Sequence, residues 1–116
     1  MNEIRILASV ESDFVISYKE AFLDEESNTL CLVLEFCETG DMLKILGDNQ
    51  RKNKPESEET IWLALTQMTL GLKALNSNNI LHRDLKCANV FVSKEGIYKL
   101  GDLNVSKVSK HGLVTT

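Results

Sequence analysis

The sequence predicts an α+β fold in which two antiparallel β-hairpins precede and follow a long helix. The first observation is a pair of apolar runs, at 14–22 and 29–36, separated by a polar turn. A second, shorter pair follows at 90–93 and 97–100. Between the two pairs, apolar residues recur at helical spacing over 61–75. At 116 residues, the chain suits one small domain or part of a larger one.

The first third of the chain is expected to contain the end of a helix, a hairpin and the start of another helix. Residues 3–8 place apolar side chains on one helical face, and the polar residues 24–28 join the two strands of the hairpin. Asp41 is a favourable N-cap residue, because its side chain can accept a hydrogen bond from a free N–H of the first turn. It predicts a short helix that ends near Gly47.

A polar stretch at 48–59 is predicted to be the linker that leads into the long helix. The apolar stripe of that helix predicts the face that packs on the core, and it consists of Ile61, Leu65, Met68, Leu72 and Leu75. The second hairpin turns at 94–96, where Gly96 tolerates positive φ.

Composition and charge restrict the class of protein. Thirteen Lys and Arg against seventeen Asp and Glu give a net charge of −4, which argues against a nucleic-acid or anionic-membrane partner. The longest apolar run, 30–34, is too short to cross a bilayer, and the first residues lack the pattern of a secretory leader, so we expect none. The cysteines Cys31, Cys37 and Cys87 show no metal-binding spacing and indicate a reducing, cytoplasmic setting. The sequence leaves the oligomeric state open.

The run from His82 to Asn89, HRDLKCAN, carries the chemistry of the chain together with Asp102. Phosphoryl transfer to a hydroxyl requires a carboxylate that orients the hydroxyl, oxygen ligands for Mg²⁺ and a cation near the phosphate. Asp84 can supply the carboxylate and Lys86 the cation, while Asn89 and Asp102 can bind Mg²⁺. Each residue alone is more often a turn or surface residue, but the spacing of the whole set favours the functional interpretation.

This run resembles the catalytic loop of eukaryotic protein kinases. With residues 2–9, 80–86 and 99–102, the chain is similar to the NIMA-related (Nek) serine/threonine kinases. The resemblance implies a protein kinase-like fold, present in part, that uses ATP and Mg²⁺ to phosphorylate Ser or Thr of a protein substrate. It also allows association with the cytoskeleton or centrosome.

The resemblance further implies an ATP site between two lobes. Residues 1–36 would be the remainder of the small lobe, 37–41 the hinge, and 42–116 the start of the large lobe through the activation loop. By this resemblance, Glu3 matches the helix glutamate that pairs with an ATP-binding lysine, and Leu34 matches the gatekeeper. Glu35 and Cys37 match the residues whose backbone binds adenine. Asp41 matches the acidic residue near the ribose, and Phe91 matches the apolar residue beneath the base.

Two departures from the family pattern keep a second function open. Asn104 stands where the family has Gly, and no glycine-rich loop or ATP-binding Lys precedes Glu3. We therefore expect an incomplete catalytic domain that transfers no phosphate by itself. The alternative is a catalytically silent kinase-like module that binds nucleotide or protein, whereas the HRDLK run argues against a small-molecule kinase.

Overall fold

A computed structural model describes residues 2–103, with side chains from residue 5 onward. It confirms the predicted α+β class, with mixed helices and antiparallel strands. In chain order the elements are α1 (Asn2–Ser9), β1 (Tyr18–Asp24), β2 (Thr29–Leu34), β3 (Gly40–Asp41), α2 (Met42–Arg51), α3 (Glu58–Ser77), a short 3₁₀ helix (Cys87–Asn89), β4 (Val90–Val92) and β5 (Tyr98–Leu100).

The first predicted hairpin is confirmed, because β1 and β2 pair antiparallel from Tyr18 opposite Leu34 to Asp24 opposite Thr29. It is shorter than predicted. Residues 14–16 leave the hairpin and join β5, where the Ile16 N–H donates to the Leu100 carbonyl at 2.8 Å. The two sheets of the fold are connected by this crossing segment.

A three-stranded sheet in the order β3-β4-β5 contains the second predicted hairpin. Its turn has Gly96 at φ +83°, as expected. The sequence did not predict β3, which pairs Gly40 with Val92 and Asp41 with Phe91. Two residues are too few to show strand periodicity, so this pairing depends on contacts made elsewhere in the chain.

Helix α2 begins as predicted, because the Asp41 carboxylate accepts the Lys44 N–H at 2.8 Å. The expected end near Gly47 is wrong. The helix continues to Arg51, where an ion pair with Asp48 stabilises its last turn. A single Gly is tolerated inside a helix at a cost of about 1 kcal/mol, so Gly47 did not mark the boundary.

The long helix α3 is confirmed, and its predicted stripe is confirmed in part, because Leu75 is fully buried and Met68 packs against the core. Ile61 and Leu65 are 57% and 49% exposed, whereas Ala64, Gly71 and Leu75 are buried. Small residues line the contact because they let the helix approach the neighbouring backbone closely. None of the helices within residues 2–103 has the length and apolarity needed to span a membrane. The core that α3 covers consists of Leu7, Val10, Val15, Tyr18, Leu75, Val90, Leu100 and Leu103.

Candidate functional site

The loop at 82–89 connects α3 to β4 and is fixed to β5 by its first residue. His82 is 4% exposed, and its Nε2 lies 2.7 Å from the Gly101 carbonyl oxygen. Its Nδ1 accepts the Asp84 N–H at 3.3 Å. An imidazole that accepts at Nδ1 carries its proton at Nε2, so it can donate to the carbonyl. His82 therefore holds the backbone of Asp84 and the end of β5 in one arrangement.

Three predicted site residues lie together within this loop. The Asn89 amide Nδ2 donates to the Asp84 carbonyl at 2.8 Å and to its carboxylate Oδ2 at 3.1 Å. Lys86 Nζ lies 3.7 Å from the same Oδ2. Both contacts engage one oxygen of Asp84, and no hydrogen bond or ion pair within residues 2–103 engages Oδ1.

The loop also lies next to Asp102. The Gly101 N–H donates to the Asn89 carbonyl at 2.9 Å, which brings the residue after Gly101 close to the end of the loop. Asp102 is exposed and has φ +50°. Asn104, which stands where the family has Gly, lies outside the described residues. The positive φ of Asp102 lies in the left-handed region, where Asp is an enriched residue type, and Arg83 of the loop has φ +69° as well.

Asn89 and Asp102 fit a magnesium ion by their donor chemistry. The Asn89 amide N–H donates to Asp84, so the side-chain oxygen of Asn89, Oδ1, is the atom that could bind a cation. Asp102 offers an exposed carboxylate. Residues 2–103 contain no cluster of three acidic, His or Cys ligands. Mg²⁺ does not require such a cluster, because it commonly takes one or two protein oxygens, waters and substrate phosphates.

The segment 35–37 is tied to two other parts of the fold. The Glu35 N–H donates to the Ser17 carbonyl at 2.9 Å, and Glu35 Oε1 accepts the Ser17 N–H at 3.1 Å. Lys99 of β5 lies 2.7 Å from Glu35 Oε2. Among backbone contacts within residues 2–103, none engages the Glu35 carbonyl or the Cys37 N–H. One free acceptor and one free donor thus lie two residues apart in a fixed segment.

The Glu35–Lys99 pair is held largely away from water. The Lys99 and Glu35 side chains are 12% and 23% exposed. Burial opposes ionisation of Glu35, but the hydrogen bonds from Lys99 and Ser17 and the Lys99 charge outweigh it, so the pKa of Glu35 is lower than its ordinary value of 4.5. The ionised carboxylate is therefore part of the folded structure.

Glu35→Gln is expected to lower the free energy of unfolding by about 1–3 kcal/mol near neutral pH, because Lys99 loses its counter-charge. Gln can still accept the Ser17 N–H, so the variant isolates the charge. The contribution of ionised Glu35 is present above its unfolded pKa and is lost as pH falls through its lower folded pKa. Denaturant unfolding should show the difference from the parent shrinking as pH falls below 4.5. A pH-independent difference, or an equal loss in the exposed control Glu20→Gln, would contradict this account.

The remaining predicted residues have different surroundings. Phe91 is half-buried, and its ring lies directly over the backbone of Gly101. Asp41 is opposite Phe91 in the β3–β4 pair and caps α2. Leu34, at the end of β2, is 41% exposed. The Glu3 side chain lies outside the described part of the chain.

Two residues near the site escaped sequence reasoning. Lys99 was predicted as part of a short strand and of the 99–102 stretch that carries the family resemblance, but its pairing with Glu35 depends on the tertiary fold. Tyr18 is 9% exposed at the start of β1. Burial raises the pKa of its phenol to about 12, a backbone hydrogen bond with Leu103 acts in the opposite direction, and the charge of Asp102 adds to the rise. Tyr18 therefore lies close to the Asp102–Leu103 backbone, which local sequence does not reveal.

The chain is similar in sequence to known protein kinases. Residues 1–116 match the family described as the protein kinase domain. Serine/threonine-protein kinase Nek2 of Mus musculus is 31% identical over 116 residues, which cover 96% of this chain and 26% of that protein. Nek6 of Oryza sativa subsp. japonica is 32% identical over 114 residues, covering 98% and 21%. Nek1 of Mus musculus is 36% identical over 106 residues, covering 91% and 8%.

The chain belongs to the protein kinase family. The predicted similarity to the NIMA-related serine/threonine kinases is confirmed by these relatives. The chain spans between 8% and 26% of the length of the three relatives, so the activity and partners of a whole protein are matters of proposal.

Proposed function

We propose that the protein containing this chain transfers the γ-phosphate of ATP to a Ser or Thr hydroxyl of a protein substrate. The observation that carries the proposal is the Asp84 carboxylate, with Oδ2 engaged by Asn89 and Lys86 and Oδ1 left for a substrate. A positioned carboxylate with one available oxygen is what a hydroxyl acceptor requires. Membership of the protein kinase family supports the same reaction class.

Asp84 would accept a hydrogen bond from the substrate hydroxyl at Oδ1 and take its proton as the phosphorus–oxygen bond forms. Asn89 fixes the carboxylate in place, because its amide contacts both the carbonyl and Oδ2 of Asp84. Lys86 is 60% exposed, so its ammonium can approach the transferred phosphate and offset its charge. Since the transition state is loose, positioning and charge contribute more than early proton removal.

Asn89 Oδ1 and the Asp102 carboxylate would hold Mg²⁺, which neutralises charge on the phosphate oxygens when it is bound. The Glu35 carbonyl and the Cys37 N–H suit the donor and acceptor on one edge of adenine. Phe91 would lie beneath the base. With these roles, we propose that residues 1–36 belong to the small lobe, 37–41 to the hinge and 42–116 to the large lobe.

Three other residues complete the proposed ATP site. Leu34 presents a partly exposed apolar side chain beside the base, and Asp41 would accept from a ribose hydroxyl with the oxygen that does not cap α2. Glu3 would pair with an ATP-binding lysine of the longer protein, which the family places ahead of this segment.

Binding of ATP to the purified chain tests the nucleotide part of the proposal. We expect weak binding, detectable by ligand-observed NMR, that strengthens at least about tenfold when Mg²⁺ is added, because the ion links the phosphates to Asn89 and Asp102. Asp102→Asn should remove most of this Mg²⁺ effect while leaving metal-free binding unchanged. Equal affinity with and without Mg²⁺, or no binding at all, would contradict the proposal.

The silent binding module predicts the same nucleotide binding but no transfer. The two functions are therefore distinguished only by a phosphate-transfer assay that supplies the parts of the kinase domain outside residues 1–116. The chain alone is predicted to transfer no phosphate in either case, because residues 1–116 contain no glycine-rich loop to cover the phosphates.

A further inference from the structure

We propose that Gly101 is a positioning residue of the nucleotide site. Because Gly101 has no side chain, the Phe91 ring can pack directly against the backbone that follows β5. In this position the ring leaves room for a purine base on its other face. The inference rests on the proposed function, because it takes Phe91 as the surface beneath the base. It adds a residue whose effect on ATP is exerted entirely through another side chain.

The space around Gly101 carries the argument. A Cβ built on Gly101 would lie 2.7 and 2.8 Å from two ring carbons of Phe91, Cε2 and Cδ2. Carbon atoms attract best at about 3.5–4.0 Å and repel strongly below that separation. On another side, Cγ1 of Ile16 would be 3.2 Å away. Ile16 is 6% exposed, so that side offers little room for relief.

The backbone of Gly101 cannot readily move away from the ring. Its N–H donates to the Asn89 carbonyl at 2.9 Å, and its carbonyl lies 2.7 Å from Nε2 of His82. His82 and Asn89 are 4% and 5% exposed, so breaking either bond would leave a buried polar group unsatisfied. The backbone is fixed on both sides of the missing Cβ.

The backbone of Phe91 is fixed as well. It pairs with Asp41 on one side and with Lys99 on the other. An added methyl at residue 101 must therefore rotate the Phe91 ring rather than displace its strand. Phe91 is only half-buried, so its exposed side offers the room into which the ring would turn. In the proposed function that side faces the base, so the ring would obstruct it.

Four forms of the 116-residue chain test the inference: the parent, Gly101→Ala, Phe91→Val and the double variant. Valine lacks the ring carbons that collide and suits a strand. We expect Gly101→Ala to weaken ATP binding about tenfold and to leave binding of magnesium tripolyphosphate, which has no base, unchanged. In the Phe91→Val background, the same change should alter ATP affinity by less than about twofold. Gly47→Ala on α2 serves as the matched control and should bind like the parent.

Each outcome bears on one claim. ATP binding that survives Gly101→Ala unchanged would overturn the role of Gly101 and leave the proposed function standing. Equal losses for ATP and tripolyphosphate would also overturn it, because they would indicate general damage. If Gly101→Ala does not fold, the Phe91→Val variant is compared with the double variant. A tenfold lower ATP affinity of the double variant would contradict an effect exerted through the Phe91 ring. Absence of ATP binding by the parent would instead overturn the proposed function, and this inference with it.

Discussion

Asp84→Ala is expected to lower γ-phosphate transfer by about 100- to 10,000-fold while changing ATP affinity by less than about twofold. The carboxylate contacts Asn89 and Lys86, and its free oxygen is assigned to the protein hydroxyl rather than to the nucleotide. Its removal therefore affects the transition state more than ATP binding. The assay is phosphorylation of a generic basic protein by a hybrid, in which residues 1–116 replace the matching stretch of the Mus musculus Nek2 relative.

Two companion variants make this result specific. Asp84→Asn keeps the shape of the side chain but cannot take a proton, so we expect a loss of similar size with a native-like melting temperature. Asp13→Ala removes an exposed aspartate ahead of β1 and should transfer phosphate like the unsubstituted hybrid. An Asp84→Asn hybrid that retains full activity would contradict the assignment of Asp84 as the base.

Gly71→Ala is expected to destabilise the fold by about 1–3 kcal/mol, although alanine is the better helix former. A Cβ at Gly71 would lie 2.6 Å from the Phe14 carbonyl oxygen and 3.0 Å from Cδ1 of Leu100. The oxygen cannot yield freely, because it accepts the Leu100 N–H at 2.9 Å. The substitution therefore forces α3 away from the segment that joins the two sheets.

Gly47→Ala is the matched control for this prediction, because it also replaces a helical glycine with alanine. A Cβ at Gly47 would meet only Nη1 of Arg51, at 3.8 Å. We therefore expect it to stabilise the fold by about 0.5–1 kcal/mol. Denaturant unfolding measures the free energy of unfolding of both variants. The difference between the two values excludes the gain in helix propensity, because both variants replace a helical glycine with alanine. If the two variants have the same stability, the close approach at Gly71 does not support the fold.

Local sequence was sufficient for elements whose causes are local. The first hairpin follows from two apolar runs and a polar turn. Helix α2 begins after Asp41 because the Asp41 side chain accepts the N–H of Lys44, three residues further along the chain. Longer-range causes were not visible. Residues 14–16 leave the hairpin because β5 offers the Leu100 carbonyl, and β3 exists only because β4 lies beside it.

The candidate site divides in the same way. Asp84, Lys86 and Asn89 lie within one short loop, so their spacing already implied a shared location, and the contacts between them are found there. Lys99 pairs with Glu35 from a distant strand, and no motif announces such a pair. The buried face of α3 was predicted correctly at Leu75, but Ala64 and Gly71 were missed because such small residues add little to an apolar stripe.

We propose that residues 82–102 form a working phosphoryl-transfer site within the kinase domain and not only a nucleotide-binding one. The most direct measurement is the rate of label transfer from γ-labelled ATP by the unsubstituted hybrid, which includes Asn104, compared with the Mus musculus relative itself. The account predicts Mg²⁺-dependent transfer within about a factor of 100 of the relative, abolished by Asp84→Asn. A hybrid that folds and binds ATP with Mg²⁺ but transfers no label would contradict it.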